Sequence, residues 1–226
     1  LEDAFRRLSE FSSDLAHELR TPISNLMMQT QVVLSRPRDA GIYRDILESN
    51  AEEYERLARM ISDMLFLAKA ENGLAIVHRE PVDLAREVQD LFDFYEALAD
   101  EQAIRLDVQG AGVVLGDRLM LRRALNNLLS NALRHTPAGG QVAVAIVRQE
   151  GQIVLTVENT GEMIPAQHLA RLFERFYRAD PSRQHASGEG TGLGLAITQA
   201  ILRAHKGDVG VASHPGRTAF TLRFPF

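Results

Sequence analysis

The residues best equipped for chemistry in this chain are an imidazole, a carboxylate and a hydroxyl bunched in the stretch FSSDLAHELRTP, residues 11–22. Residues one helical turn apart share a face, so His17 and Thr21 present an imidazole and a hydroxyl to the same solvent patch, with Glu18 beside them. Pro22 has no N–H to donate. It leaves the carbonyl of Glu18 without its usual partner and is expected to bend the helix just past the histidine. The arrangement suits a reactive imidazole on a hinge. Alone, though, an exposed helical histidine is an ordinary solvated side chain, and only partners elsewhere in the chain give it a reaction.

Further clusters lie downstream. In NLLSNALRH, residues 127–135, Asn127 and Asn131 share a face that Arg134 and His135 continue, while Leu121, Leu125, Leu128 and Ala132 form the opposite, apolar stripe. Amide carbonyls are hard neutral donors suited to Mg²⁺, and Arg134 would meet phosphate charge. In VENTGEMIP, residues 157–165, a strand ends in Asn159 and Gly161, and Pro165 is placed to start a short helix. A carboxamide there can pair with an adenine edge, accepting from the exocyclic amine and donating to a ring nitrogen; an Asn-Thr-Gly turn is the plainer alternative. In LFERFYR, residues 172–178, the apolar side chains are expected to anchor a loop, leaving Arg175 and Arg178 free for anions. Finally GEGTGLGLAI, residues 188–197, sets glycines at alternate positions before an apolar helix, a backbone cradle for phosphate at a helix N-terminus. No strand leads into that loop and no Walker lysine follows it, so a dinucleotide fold and a P-loop are excluded.

The elements that must hold these residues divide into two regions. Leu8, Phe11, Leu15, Leu19, Pro22, Leu26, Thr30 and Val33 recur at helical spacing, and Pro37 and Gly41 then break the pattern. In the next helix Leu47, Ala51, Tyr54, Ala58, Ile61, Leu65 and Ala68 make a coiled-coil seam flanked by Leu57, Met60 and Met64. One hairpin is not expected to enclose Leu57, Met60 and Met64, so a symmetric dimer forming a four-helix bundle is expected, the alternative being a hairpin packed on the remainder of its own chain. The helical pattern stops near Asn72, which puts the domain boundary between 1–72 and 73–226. Beyond a short extended segment at 75–81 come a helix from Val82 to Asp100, short strands at Ile104–Val108 and Val113–Leu115, and a helix capped by Asp117. Hairpins at 141–158 and 208–224 then flank a loop running to Gly190 and a helix from about Gly192. The fold class expected is α+β, with an antiparallel sheet covered on one face by helices.

Composition narrows the functions. A formal charge of −5 over 226 residues offers no positive footprint for nucleic acid, and the lack of cysteine removes disulfides, thiolate metal sites and cysteine nucleophiles. No apolar run is long enough to span a bilayer and no signal peptide opens the chain, so a soluble piece is expected. It starts at Leu1, already in helical register, which points to a fragment of something longer. His78, His168, His185, His205 and His214 are scattered without ligand spacing and are taken as surface residues.

Together and in this order, the clusters resemble the boxes of the sensor histidine kinases of two-component systems. The opening stretch is similar to the H box and residues 127–135 to the N box. Residues 159–165 and 188–195 are similar to the two glycine boxes, 172–178 to the F box, and Gly216-Arg217-Thr218 to the small terminal glycine motif. The H-box wording and the FYRADPS run look most like the copper and silver sensing branch. The resemblance implies a bundle followed by an α/β sandwich of the histidine kinase and Hsp90-like ATPase type. It also implies ATP and Mg²⁺ as cofactors, a homodimer, a response regulator receiver domain as partner, and the cytoplasmic portion of an inner-membrane sensor as setting. His17 would accept the γ-phosphoryl group, Glu18 would relay the proton, and Thr21 would orient water for the reverse reaction. Asn131 would bind the metal with Asn127 in support. Arg134, His135 and Arg178 would lie along the phosphates, Asn159 and Gly161 would hold adenine, and Thr218 would belong to the cofactor-binding set. Gly190, Thr191, Gly192, Leu193 and Gly194 would cradle the phosphates, with the loop from Gly161 to Gly190 as a lid. The family usually has aspartate at Asn159 and glycine at Met163, so a weaker adenine contact and a stiffer start to the lid are expected. A dimerisation and docking scaffold with a degenerate nucleotide site, and a chaperone- or topoisomerase-type ATPase, are the alternatives.

Overall fold

The computed structural model describes residues 2–71, 78–179 and 191–225. They fall into two compact units, Leu1–Leu65 and Phe66–Phe226.

The first unit is built from two long helices, α1 (Glu2–Leu34) and α2 (Ala40–Glu71), of which α2 runs on past Leu65, so that its last residues count with the second unit. Pro22 lies inside α1, buried, and the helix continues through it. The α1 seam follows the expected spacing: Pro22, Leu26 and Val33 are buried and Leu15 and Leu19 half-buried. Thr30 is exposed and turns its hydroxyl back to the Leu26 carbonyl at 2.7 Å. The side chains of Leu8 and Phe11 lie outside the described set. On α2 the two apolar stripes exchange roles. Leu57, Met60 and Met64 are buried, whereas Leu47, Tyr54, Ile61 and Leu65 are exposed. Each buried residue from Leu57 on precedes a residue of the expected seam by one position, a rotation of about 100°. The single chain covers the stripe with the bulkier side chains and leaves the alanine-containing one bare.

The second unit opens with a two-stranded sheet in which β1 (Glu80–Asp83) pairs antiparallel with β3 (Val113–Gly116). The helix expected from Val82 begins later: Val82 pairs with Val114, and Asp83 caps α3 (Leu84–Glu101) by accepting from the N–H groups of Ala85 and Arg86. Of the extended segment expected at 75–81, residues 75–77 lie outside the described residues. The main sheet has five strands in the order β2-β4-β5-β7-β6, formed by β2 (Arg105–Gly110), β4 (Gln141–Gln149), β5 (Gln152–Gly161), β6 (Asp208–His214) and β7 (Gly216–Pro225). It is mixed rather than antiparallel, because β2 and β4 run parallel, joined through β3 and helix α4 (Arg118–His135).

Alternation places Val142, Val144 and Ile146, then Ile153, Leu155 and Val157, then Phe220, Leu222 and Phe224 on one buried face, in register across β4, β5 and β7. Helices α3, α4 and α6 (Gly194–Ala204) contribute Val88, Leu91, Leu121, Leu125, Leu128, Ile197 and Ile201 to the same core. The result is the expected α+β sandwich. A single turn, α5 (Ala166–Leu169), follows Pro165.

Candidate functional site

On α1, His17 and Thr21 are exposed, Glu18 is half-buried and Pro22 buried, so the imidazole and the hydroxyl are open to solvent one turn apart.

In the second unit the site is organised by α4. Asp117 starts this helix by accepting from the Met120 N–H at 3.0 Å. Leu121, Leu125, Leu128 and Ala132 fix its inner face at 1% exposure or less. A buried carboxylate sets its position on α3: Glu87 meets Arg118, and also Arg122 at 3.1 Å, while Asp90 reaches Arg122 at 3.5 Å. The Glu87 contact, first by its hydrogen bond and then by its charge, holds the Arg118 guanidinium above its ordinary pKa.

With α4 held this way, Asn127 and Asn131 are half-buried on its outer flank, and Arg134 and His135 are exposed at its end. The Asn127 amide nitrogen donates to the Gly194 carbonyl at 3.0 Å, tying α4 to the first turn of α6 and leaving the amide oxygen as an acceptor. Helix α6 starts at Gly194, later than the expected Gly192, because Gly192 sits at φ +72, outside helical geometry. That conformation has a local cause. The Gly192 carbonyl accepts from the Phe176 N–H at 3.0 Å, and a Cβ on Gly192 would lie 2.8 Å from the Phe176 backbone. Phe176 is itself left-handed, at φ 59. The second glycine box and the F box are thus locked backbone to backbone. Thr191 accepts from the Leu193 N–H at 3.4 Å, Leu193 is fully buried, and it gives α6 no side-chain cap. Gly190 lies outside the described residues.

The residues expected to face adenine lie at the end of β5. Asn159, 4% exposed, is paired with Val142 and Thr218 in the neighbouring strands, and its amide nitrogen donates to the Thr160 carbonyl at 3.0 Å. A Cβ on Gly161 would lie 2.7 Å from the His135 carbonyl oxygen, so only glycine lets β5 end against the end of α4. Thr218 is buried and shares a 2.8 Å hydrogen bond with Ser213, whose hydroxyl also accepts from the Ile164 N–H at 2.8 Å. Ser213 joins this cluster through hydrogen bonds that the sequence did not reveal. Its one signal was a hydroxyl on the strand facing Thr218, and that needs the register of β6 on β7.

In the F box Leu172 is buried and Phe173, Phe176 and Tyr177 are half-buried, as an anchored segment requires. Arg178 is half-buried, whereas Arg175 is already engaged within the protein rather than free. Two histidines taken as surface residues are not. His168 hydrogen-bonds through Nδ1 to the Tyr177 hydroxyl at 2.5 Å, and half-buried His205 is bonded at both ring nitrogens. Of the sequence-derived set, the fold brings Asn127, midway along α4, to Gly194 at the start of α6, packs Gly192 on Phe176, sets Gly161 against the His135 carbonyl, and pairs Asn159 with Thr218. His17, Glu18 and Thr21 belong to the other unit.

A helical hairpin carrying an exposed histidine, followed by an α+β sandwich with asparagines and close-packed glycines beside α4, is the architecture of a two-module protein of the class the sequence resembles. Comparison with known proteins agrees. Residues 7–73 match the sequence model of the His Kinase A (phospho-acceptor) domain, and 116–226 that of the histidine kinase-, DNA gyrase B- and HSP90-like ATPases. The sensor histidine kinase CusS of Escherichia coli O6:H1 is 51% identical over the whole chain, which covers 47% of that protein. The chain therefore spans about half the length of such curated relatives. Among solved structures, the mycobacterial sensor histidine kinase MprB is 31% identical, matched over 66% of this chain and 97% of its own, with a TM-score of 0.56. The Acinetobacter baumannii histidine kinase AdeS is 25% identical over 92% of this chain and 97% of its own, with a TM-score of 0.75. The chain belongs to the sensor histidine kinases.

Proposed function

We propose that the chain is the catalytic core of a sensor kinase that transfers the γ-phosphoryl group of Mg-ATP to His17 and then to an aspartate on the receiver domain of a response regulator. One observation carries this reading: the Asn127 amide, midway along α4, is bonded to Gly194 at the glycine-rich start of α6, while Gly161 closes on His135 at the end of α4 and the hairpin exposes His17. The site fits a hard cation and a polyphosphate. Its donors are neutral amide oxygens, and close backbone approach is enforced by glycines that a Cβ would block. Mg²⁺, when bound, neutralises phosphate charge; Asn131 would hold it with Asn127 in support.

Each residue has a defined part. Neutral His17 attacks through one ring nitrogen, forming the N–P bond as the bond to the β,γ-bridging oxygen breaks and ADP departs; the proton on the other ring nitrogen passes to Glu18. Arg134, His135 and Arg178 line the phosphates, with Gly190, Thr191, Gly192, Leu193 and Gly194 as their backbone cradle. Asn159, Gly161 and Thr218 hold the base. Thr21 orients water for dephosphorylation of the regulator. Residues 1–72 form the dimerising phosphotransfer domain, with the exposed stripe of α2 as its apolar face, and 73–226 the ATP-binding domain. The parent protein is read as an inner-membrane sensor answering copper or silver upstream of this segment; among the described residues no helix is long and apolar enough to cross a membrane.

The test is incubation with γ-labelled ATP and Mg²⁺. Acid-labile, base-stable label that disappears in His17→Gln is the expected result. Free phosphate without protein label would make the chain an ATPase, and neither signal would make it a docking scaffold.

A further inference from the structure

His205 stands at the C-terminal end of α6, where the nucleotide chemistry does not use it. Its Nδ1 lies 2.8 Å from the Ile201 carbonyl, to which it donates, and its Nε2 accepts from the backbone N–H of Asp117 at 3.0 Å. These partners settle the tautomer: the proton is on Nδ1 and the lone pair on Nε2. The ring also lies against Gly116, where a Cβ would come 2.5 Å from Cδ2 and 2.7 Å from Nε2. Asp117 is the residue whose carboxylate caps α4.

Helix α6 is therefore tied to α4 at both of its own ends, its first turn to the middle of α4 and its C-cap residue to the start of α4. At one end Asn127 donates to Gly194, within the nucleotide site. At the other, His205 of α6 receives the N–H of Asp117, the start of α4. We propose that His205 is a positioning residue that clamps this helix pair, and that it does so only as the neutral imidazole, so that mild acidification slackens the pair and weakens nucleotide binding.

The chemistry of the clamp gives the sign. A proton added to Nε2 removes the only acceptor that the ring offers Asp117, and it sets two like dipoles, N–H against N–H, across 3.0 Å. Burial disfavours the charged ring and lowers its pKa from the ordinary 6.5, outweighing the Ile201 hydrogen bond. Two charged groups act on it from outside α6: Asp117, which favours the proton, and Arg79, ahead of β1, which opposes it; Arg203 and Lys206 are its charged neighbours in sequence. The folded state thus binds this proton less readily than the unfolded chain does. The stabilisation is complete above the ordinary pKa and is lost as pH falls from there towards the lowered folded value.

This inference rests on the nucleotide site proposed above, so the experiment has two arms. In the first, the affinity of a fluorescent, non-hydrolysable ATP analogue with Mg²⁺ is measured for the full chain between about pH 7.5 and 5.5. The wild type should lose about fivefold more affinity than His205→Gln, whose amide oxygen keeps an acceptor that cannot titrate. Equal losses in the two proteins overturn the proposal. The second arm needs no nucleotide: the exchange protection of the Asp117 amide, followed by NMR, should fall with pH in the wild type and hold in the Gln variant. Protection independent of pH in the wild type also overturns it. An analogue that binds neither protein at any pH would count against the nucleotide site itself, and the exchange arm would still decide the clamp.

Discussion

Asn159 is the residue at which base recognition can be argued atom by atom. One of the two N–H donors of its amide is committed to the Thr160 carbonyl, which fixes the orientation of the group and presents its oxygen as the acceptor for the base in the proposed site. An oxygen acceptor matches the 6-amino group of adenine and opposes the 6-oxo group of hypoxanthine. Competition by ATP and by inosine triphosphate should therefore differ about ten- to a hundredfold, and Asn159→Ala should erase most of that gap; equal competition in the parent chain would remove Asn159 from base recognition. The sequence allowed either amide atom to face the base, and the bond to the Thr160 carbonyl, which orients the group, is not readable from it. The polar stripe of Asn127 and Asn131 was legible because the helical lattice is fixed by local geometry. Ser213 and His205 were not, since each acquires its role from a partner on another element, at Thr218 and Asp117.

Elements were legible in type and less so in their faces and directions. Alternation marks β4 and β5 as half-buried strands, but it carries no information about whether β2 runs with or against β4, and the pair proved parallel. On α2 two apolar stripes lie one residue apart, and periodicity alone cannot say which one a single chain covers. For α1 the element-scale question is Pro22, which the helix passes through without interruption. Alanine there would supply the N–H that the Glu18 carbonyl lacks and would favour the helix by up to about 3 kcal/mol, less the packing lost at a buried site. Pro22→Ala should raise the melting temperature and stiffen the turn that carries His17, Glu18 and Thr21. The ratio of autophosphorylation to regulator dephosphorylation should shift with it, and a stiffened variant with an unchanged ratio would show that the proline is only a packing residue.

At the scale of the whole molecule, the proposed chemistry is divided between two compact units. The phosphoacceptor and the bare apolar stripe lie on the hairpin, and the nucleotide residues lie in the sandwich. Charge and composition carry no information about this division; the change from unbroken helix to mixed elements points to one near Asn72, whereas the packing divides at Leu65, inside α2. If the units are separate in function as well as in packing, their lesions should separate too. Ile61, 44% exposed in the bare stripe, is a position where a carboxylate costs little in a monomer but would be desolvated in a dimer. Ile61→Glu should halve the mass seen by sedimentation while leaving the affinity for an ATP analogue within about twofold of the parent. Asn131→Ala should do the reverse, keeping the parent mass while label on His17 falls about a hundredfold or more for want of a metal ligand. Should either substitution disturb both mass and nucleotide binding, the hairpin and the sandwich would have to act as one cooperative body, and His17 would be presented to the nucleotide by a shared surface rather than by two modules brought together.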